Sequence, residues 1–138
     1  MLLKMQYKDW GLSMIETELR AYLLNDPDIK RMIGNRMYPL VLPEKAAFPA
    51  IAYTMVSKGS HHLINIAFPR IQFSCFSPSY MEAKNIAGKI REALQRYKGQ
   101  MGSNRVIQGV FENEYEMYEK DTGLYHVACD IKIIFRED

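Results

Sequence analysis

The chain has 138 residues, 48% of them hydrophobic and 25% charged, with a net charge of +2. That is enough chain and enough apolar material for a core that needs no metal or disulfide staple, and it excludes long disordered stretches. The small net charge makes no case for nucleic acid, and no apolar run reaches the roughly 18 residues of a membrane helix.

In chain order, Met1 to Trp10 reads as an N-terminal extension without the apolar stretch of a secretory signal, so synthesis in the cytoplasm is expected. Ser13 and Glu16 then form a capping-box pair, each side chain placed to satisfy a free amide at a helix start. Ile15, Leu19, Tyr22 and Leu23 follow at helical spacing and predict one apolar stripe. Asp26-Pro27 restarts a short helix carrying Ile29, Met32 and Ile33, which Gly34 stops. Pro39, Pro43 and Pro49 make Met37 to Pro49 an extended connector or sheet edge, because proline removes backbone donors.

Ile51 to Val56 reads as a strand with Ile51, Tyr53 and Met55 on one face. Ser57 to Ala67 is expected to be a long flexible loop or hairpin arm holding an apolar group, Leu63, Ile64 and Ile66. Arg70 to Phe76 is a second strand, with Ile71, Phe73 and Cys75 alternating against Arg70, Gln72 and Ser74. Ser77-Pro78-Ser79 opens a long helix running to about Tyr97, whose stripe is Ala83, Ile86, Ala87, Ile90, Ala93, Leu94 and Tyr97. Val106 to Phe111 is a strand. Glu112 to Thr122 is polar, turning at Asp121-Thr122-Gly123. The last strand, about Leu124 to Phe135, alternates Val127, Cys129, Ile131, Ile133 and Phe135 against His126, Ala128, Asp130 and Lys132.

This order predicts a single α+β domain over residues 1–138. Its largely antiparallel sheet has about four main strands, with two or three helices packed on one face. The two cysteines, Cys75 and Cys129, fall on apolar faces. A reduced, buried pair is the simplest account, and strands that lie side by side would also permit a bridge.

Motifs for phosphate cradling, zinc proteolysis, redox CxxC chemistry and the serine nucleophile elbow are absent. Cys75, His126 and Asp130 could be drawn as a nucleophile, a base and an orienting acid. The alternation instead makes two core thiols and a surface His–Asp pair. His61-His62 has no acid or cysteine close in sequence, so a solvated loop is expected there and not a metal site. No catalytic residue, cofactor or metal is assigned, and the chain reads as a non-enzyme.

Charge distribution is more informative than net charge. From Lys84 to Arg105 there are six basic residues, including Lys89, Arg91 and Arg96, against Glu92 alone; from Glu112 to Asp121 there are five acids against Lys120. Two solvated faces are the ordinary reading. Glu112, Glu114 and Glu116 have period-2 spacing, so in a strand all three carboxylates would face one side, unfavourably unless solvated or met by cations. Two uses follow. The acids could meet the basic helix end of a neighbouring copy, or they could wall a channel that repels DNA phosphates. Direct DNA contact by the basic helix is a rival without any recognition motif.

Three stretches together resemble a known family: Ile15–Tyr53, with its DP helix, GNRMYPLVLP connector and FPAIAY strand; Arg70–Leu94, with RIQFSCF before SYMEAKNIAGKIREAL; and Ile107–Ile133, with an E-x-x-x-Y-E-x-x-T-G-L-Y pattern before the last strand. They are similar to the tail-completion family of long-tailed bacteriophages and prophages, which includes tail-terminator and tail-to-head joining proteins. The resemblance implies a virion structural protein made in a bacterial host. It implies a homo-hexameric ring that caps the tail tube and docks on the head-completion or connector protein, with DNA passing without specific binding and no membrane role. Another neck, head-completion or tube component is the alternative within that class, and a small hydrolase using Cys75 or His126 the alternative outside it. The residues expected at interfaces are His61, His62, Leu63, Ile64, Ile66, Lys89, Arg91, Arg96, Glu112, Glu114 and Glu116.

Overall fold

A computed structural model of the chain describes residues 14–61 and 63–137. Ser13, His62 and the Met1 to Trp10 extension lie outside the described residues. The elements are α1 (Ile15–Leu24), α2 (Pro27–Ile33), β1 (Met37–Pro39), β2 (Ala50–Ser57), β3 (Ser60–His61), β4 (Ile66–Ala67), β5 (Arg70–Ser77), α3 (Tyr80–Leu94), β6 (Gly99–Met101), β7 (Asn104–Glu119) and β8 (Leu124–Arg136).

The helices form where the periodicity places them. Ile15, Leu19 and Leu23 of α1 are buried, with Tyr22 packed beside them. Asp26 caps α2: its carboxylate accepts from the amides of Asp28 and Ile29 at 2.9 and 3.2 Å, while Pro27 occupies the first turn. Ser79 caps α3, accepting from the Glu82 amide at 3.3 Å. That helix ends at Leu94, short of the Tyr97 expected, because Arg96 takes a left-handed backbone (φ 65°) and its amide donates to the Gly109 carbonyl at 2.8 Å.

The sheet departs from the expected layout in two ways. Among the described residues it has eight strands and is mixed, since β1 runs parallel to β2 while every other pair is antiparallel. The polar stretch after Phe111 is strand as far as Glu119, so β7 and β8 form one long hairpin with Tyr118 opposite Tyr125. Of the two forms expected for Ser57 to Ala67, loop or hairpin arm, the segment takes the second: β3 pairs with β4, and β4 pairs with the end of β8 at Phe135 and Arg136. Gly59 lies against the Phe68 ring, which would have to move aside for a Cβ at that position.

Strand β8 is the axis of the sheet, with β5 on one side and β7 on the other. Its inward residues Val127, Cys129, Ile131, Ile133 and Phe135 meet Ile51, Ile71, Phe73 and Cys75 of the neighbouring strands. The Ala83, Ile86, Ala87, Ile90 and Leu94 face of α3 covers them, and α1 and α2 complete the same buried cluster. Cys75 and Cys129 are both free, on neighbouring strands and offset by two positions on this face.

The end of α3 crosses β7 so closely at Gly109 that an added Cβ would overlap the Leu94 carbonyl oxygen; the Gly109 amide also donates to the Tyr97 carbonyl at 2.9 Å. The obstacle is backbone and cannot rotate away. Gly109→Ala is therefore expected to cost about 3 kcal/mol, the upper end of overpacking penalties. A lowered urea midpoint at unchanged slope is the check.

Candidate functional site

Two surfaces stand out, one at each end of β8. At the root, the β3–β4 turn projects Leu63 and Ile64, which are 76% and 56% exposed. Next to them Ile66 is half-buried and Ala67 fully buried, so the projecting pair rests on a seated base. His61 is exposed on β3, and its Nδ1 accepts from the Leu63 amide at 3.2 Å, which shapes the turn.

At the tip, Tyr80 from the start of α3 and Tyr118 and Tyr125 from the hairpin surround a pocket of about 240 Å³ that Glu116, Met117 and Val127 also line. Tyr125 packs against both other rings, with centroids 5.7 Å from Tyr80 and 4.8 Å from Tyr118. The Tyr80 hydroxyl donates to Glu116 at 3.0 Å, which fixes one wall.

The three glutamates do not share a face. A β-bulge between Phe111 and Asn113 inserts Glu112 as an extra residue. Glu112 pairs with Lys132 at 3.2 Å, whereas Glu114 and Glu116 both meet Lys84 of α3, the latter at 2.8 Å. These two carboxylates raise the Lys84 ammonium, and Lys84 followed by Tyr80 holds the Glu116 carboxyl below the usual range. The cation that answers the acidic strand is thus in the same chain. Sequence spacing could not show this, because it depends on where α3 lands.

The basic helix is committed in the same way. Lys89 reaches Asp28 at 3.4 Å and Glu92 at 3.5 Å, and Arg91 stacks over the Phe111 ring at 3.9 Å while donating to Gln95. Arg96 is exposed beyond the helix end.

His126 and Asp130, expected as a surface pair, are both largely covered. Asp130 is 3% exposed and accepts from Nε and Nη2 of Arg70, at 3.1 and 2.6 Å, and from Gln72 at 3.0 Å. The Gln72 amide also reaches the Tyr115 hydroxyl, at 2.7 Å. His126 stacks on Phe76 at 4.3 Å and its Nε2 is buried without a hydrogen-bond partner. Cys75 faces the opposite side of the sheet, so the three do not meet. Burial pushes the Cys75 thiol well up and Cys129 up to about 12, the reverse of what a nucleophile needs. Among the described residues no cluster of His, Cys, Asp and Glu could hold a metal ion. No described helix is long and apolar enough to cross a membrane.

The family model described as "Tail completion protein gp17" matches residues 17–136. The chain belongs to that family. It is a structural protein of a bacteriophage tail, and its place is the virion. A chain of the solved structure "Virion of native gene transfer agent (GTA) particle" is 14% identical with a TM-score of 0.75, over 89% of this tail-completion protein and 95% of that chain. At that identity the likeness shows a shared fold. No curated protein matches the sequence.

Two measurements check the chemistry of the interior. Neither thiol should react with an aromatic disulfide reagent at pH 8 in the native tail-completion protein, and both should react once it is unfolded; prompt native labelling of Cys75 would reopen the nucleophile reading. For His126, burial lowers the pKa, opposed by Glu119. Below about pH 6.5 the unfolded chain therefore takes up a proton that the folded chain resists, and stability falls as pH drops through that window. His126→Phe should flatten this slope between pH 7 and 5, read as unfolding midpoints against pH.

Proposed function

We propose that this tail-completion protein is a ring-forming terminator, a hexamer that caps the tail tube and joins it to the head-completion or connector protein. Family membership supports a role in assembly. The observation that carries the ring is the exposed Leu63–Ile64 pair, held out on a hairpin that β8 pins at Phe135 and Arg136. Exposed aliphatic side chains on a fixed base gain roughly 1.5–3 kcal/mol each when a neighbour covers them, less the cost of ordering the turn.

The mechanism is binding and involves no reaction. DNA passes without specific contact, and the engagement of Lys84, Lys89 and Arg91 within the chain supports this, since a strand-binding face needs cations free for phosphates.

Light scattering across a concentration series, with and without added tail tubes, tests the ring. A discrete higher oligomer is expected; a chain that stays monomeric even on tubes overturns it. Ile64→Asp should lose the oligomer while keeping the wild-type circular dichroism and melting curve. Unchanged assembly by that variant removes the hairpin from the interface.

A further inference from the structure

We infer that the tyrosine-lined pocket at the β7–β8 tip is a receptor for a basic side chain, a lysine or arginine presented by another protein of the virion. The inference does not rest on the ring-forming reading, which concerns the other end of β8.

The walls have the chemistry of a cation cage. Tyr80, Tyr118 and Tyr125 line one space together with Glu116, Met117 and Val127. The Tyr80 and Tyr118 rings are inclined to Tyr125 by 66° and 48°, so the three make a cup and not a stack. The face of an aromatic ring is its negative side and attracts a cation within about 6 Å of the centroid. The Tyr80 hydroxyl donates to the Glu116 carboxylate at 3.0 Å, which polarises that ring towards greater electron density. At about 240 Å³ the pocket is smaller than the roughly 300–1,000 Å³ of sites that take whole small molecules. A single side chain fits that space.

Charge decides which side chain. Glu114 and Glu116 have one cation between them, Lys84, and the three groups leave one negative charge over. Lys84 is raised and Glu116 lowered, so both are ionised at neutral pH. The turn that closes the hairpin, Glu119 to Asp121, adds two acids against Lys120. His126, opposite Met117 on the other face, is pushed towards its neutral form by burial and adds no opposing charge. An aliphatic occupant would fill the volume and leave the excess charge unanswered. A basic one answers it, while its methylene stem packs on Met117 and Val127. Met117 and Tyr118 are exposed at the mouth, an apolar rim of the kind that protein partners cover.

The experiment titrates the full-length protein, isotope-labelled on its tyrosine rings, at constant ionic strength. The probes are blocked arginine amide, blocked lysine amide, choline and the uncharged tert-butyl analogue of choline. The Tyr80, Tyr118 and Tyr125 resonances should shift together with arginine or lysine, and the uncharged analogue should bind about tenfold more weakly. Tyr118→Leu keeps an apolar wall and removes one ring face at an exposed position. It should lose severalfold in affinity for the cations only, with unaltered circular dichroism. Equal binding of charged and uncharged probes makes the pocket an apolar hollow and overturns the inference. Shifts spread equally to Tyr38 and Tyr97, or no shift, do the same. Tightest binding by choline assigns the pocket to a small quaternary ammonium ligand and overturns the side-chain reading. Light scattering reads the ring separately, so either reading can fail without the other.

Discussion

Strand β8 is hydrogen-bonded on both sides for most of its length. From Tyr125 to Lys132 its partner is β5, at Phe135 and Arg136 the same side is taken up by β4, and β7 runs along the other side from end to end. A one-residue slip of this strand would send Asp130 and Lys132 into the core and Cys129 and Ile131 out of it, so the register is fixed by the alternation itself. The apolar face of α3 then has one surface to land on, and the position of α3 decides where Lys84 meets Glu114 and Glu116. The knob and the tyrosine pocket are the two ends of this same strand, so their separation is set by its length.

Centrality also explains the far face. With strands on both sides, even the outward residues of β8 lose water, and Ala128 and Asp130 are as buried as many core positions. A buried carboxylate is tolerable only with its charge and lone pairs met. Arg70 and Gln72, both on β5, supply that. Gln72 sits opposite Asp130 and Arg70 two residues along, so the ion pair holds only in the observed pairing of β5 with β8. It reinforces the register from the side opposite the core.

The parts of the fold legible in the sequence are those where one local signal suffices. Asp26-Pro27 marks a helix start by its own chemistry, the α3 stripe marks a buried face, and the β8 alternation marks a strand with one side in the core. The polar half of β7 was not legible, because strand signals rest on apolar alternation. Here the alternation is of glutamates against Tyr115 and Met117, answered by a lysine from a distant helix. The bulge at Glu112 leaves no mark in composition, yet it moves one of three evenly spaced acids to the other face. His126 and Asp130 were placed by strand parity on the right face, but their burial depends on both flanking strands. Strands of two or three residues, such as β1, β3 and β4, exist only because a longer neighbour offers them partners. At the candidate site, the exposure of Leu63 and Ile64 followed from an apolar group in a turn, whereas the tyrosine pocket needed Tyr80 brought to the hairpin by the fold.

The outer edge of β7 shows what kind of association the fold permits. Beyond Phe111 this edge is long, and an open edge invites another chain to extend the sheet without limit. A bulge kinks it at Glu112, and the Glu114 and Glu116 side chains on the helix side are tied back to Lys84. A second β7 laid against it would bring rows of glutamates together. Sheet extension is thereby disfavoured, which leaves contact through side chains as the alternative. On the ring-forming reading the distinction matters. Edge pairing has no preferred stopping number, whereas a side-chain contact of fixed shape carries a fixed rotation, and a fixed rotation is what limits an assembly to one number of copies.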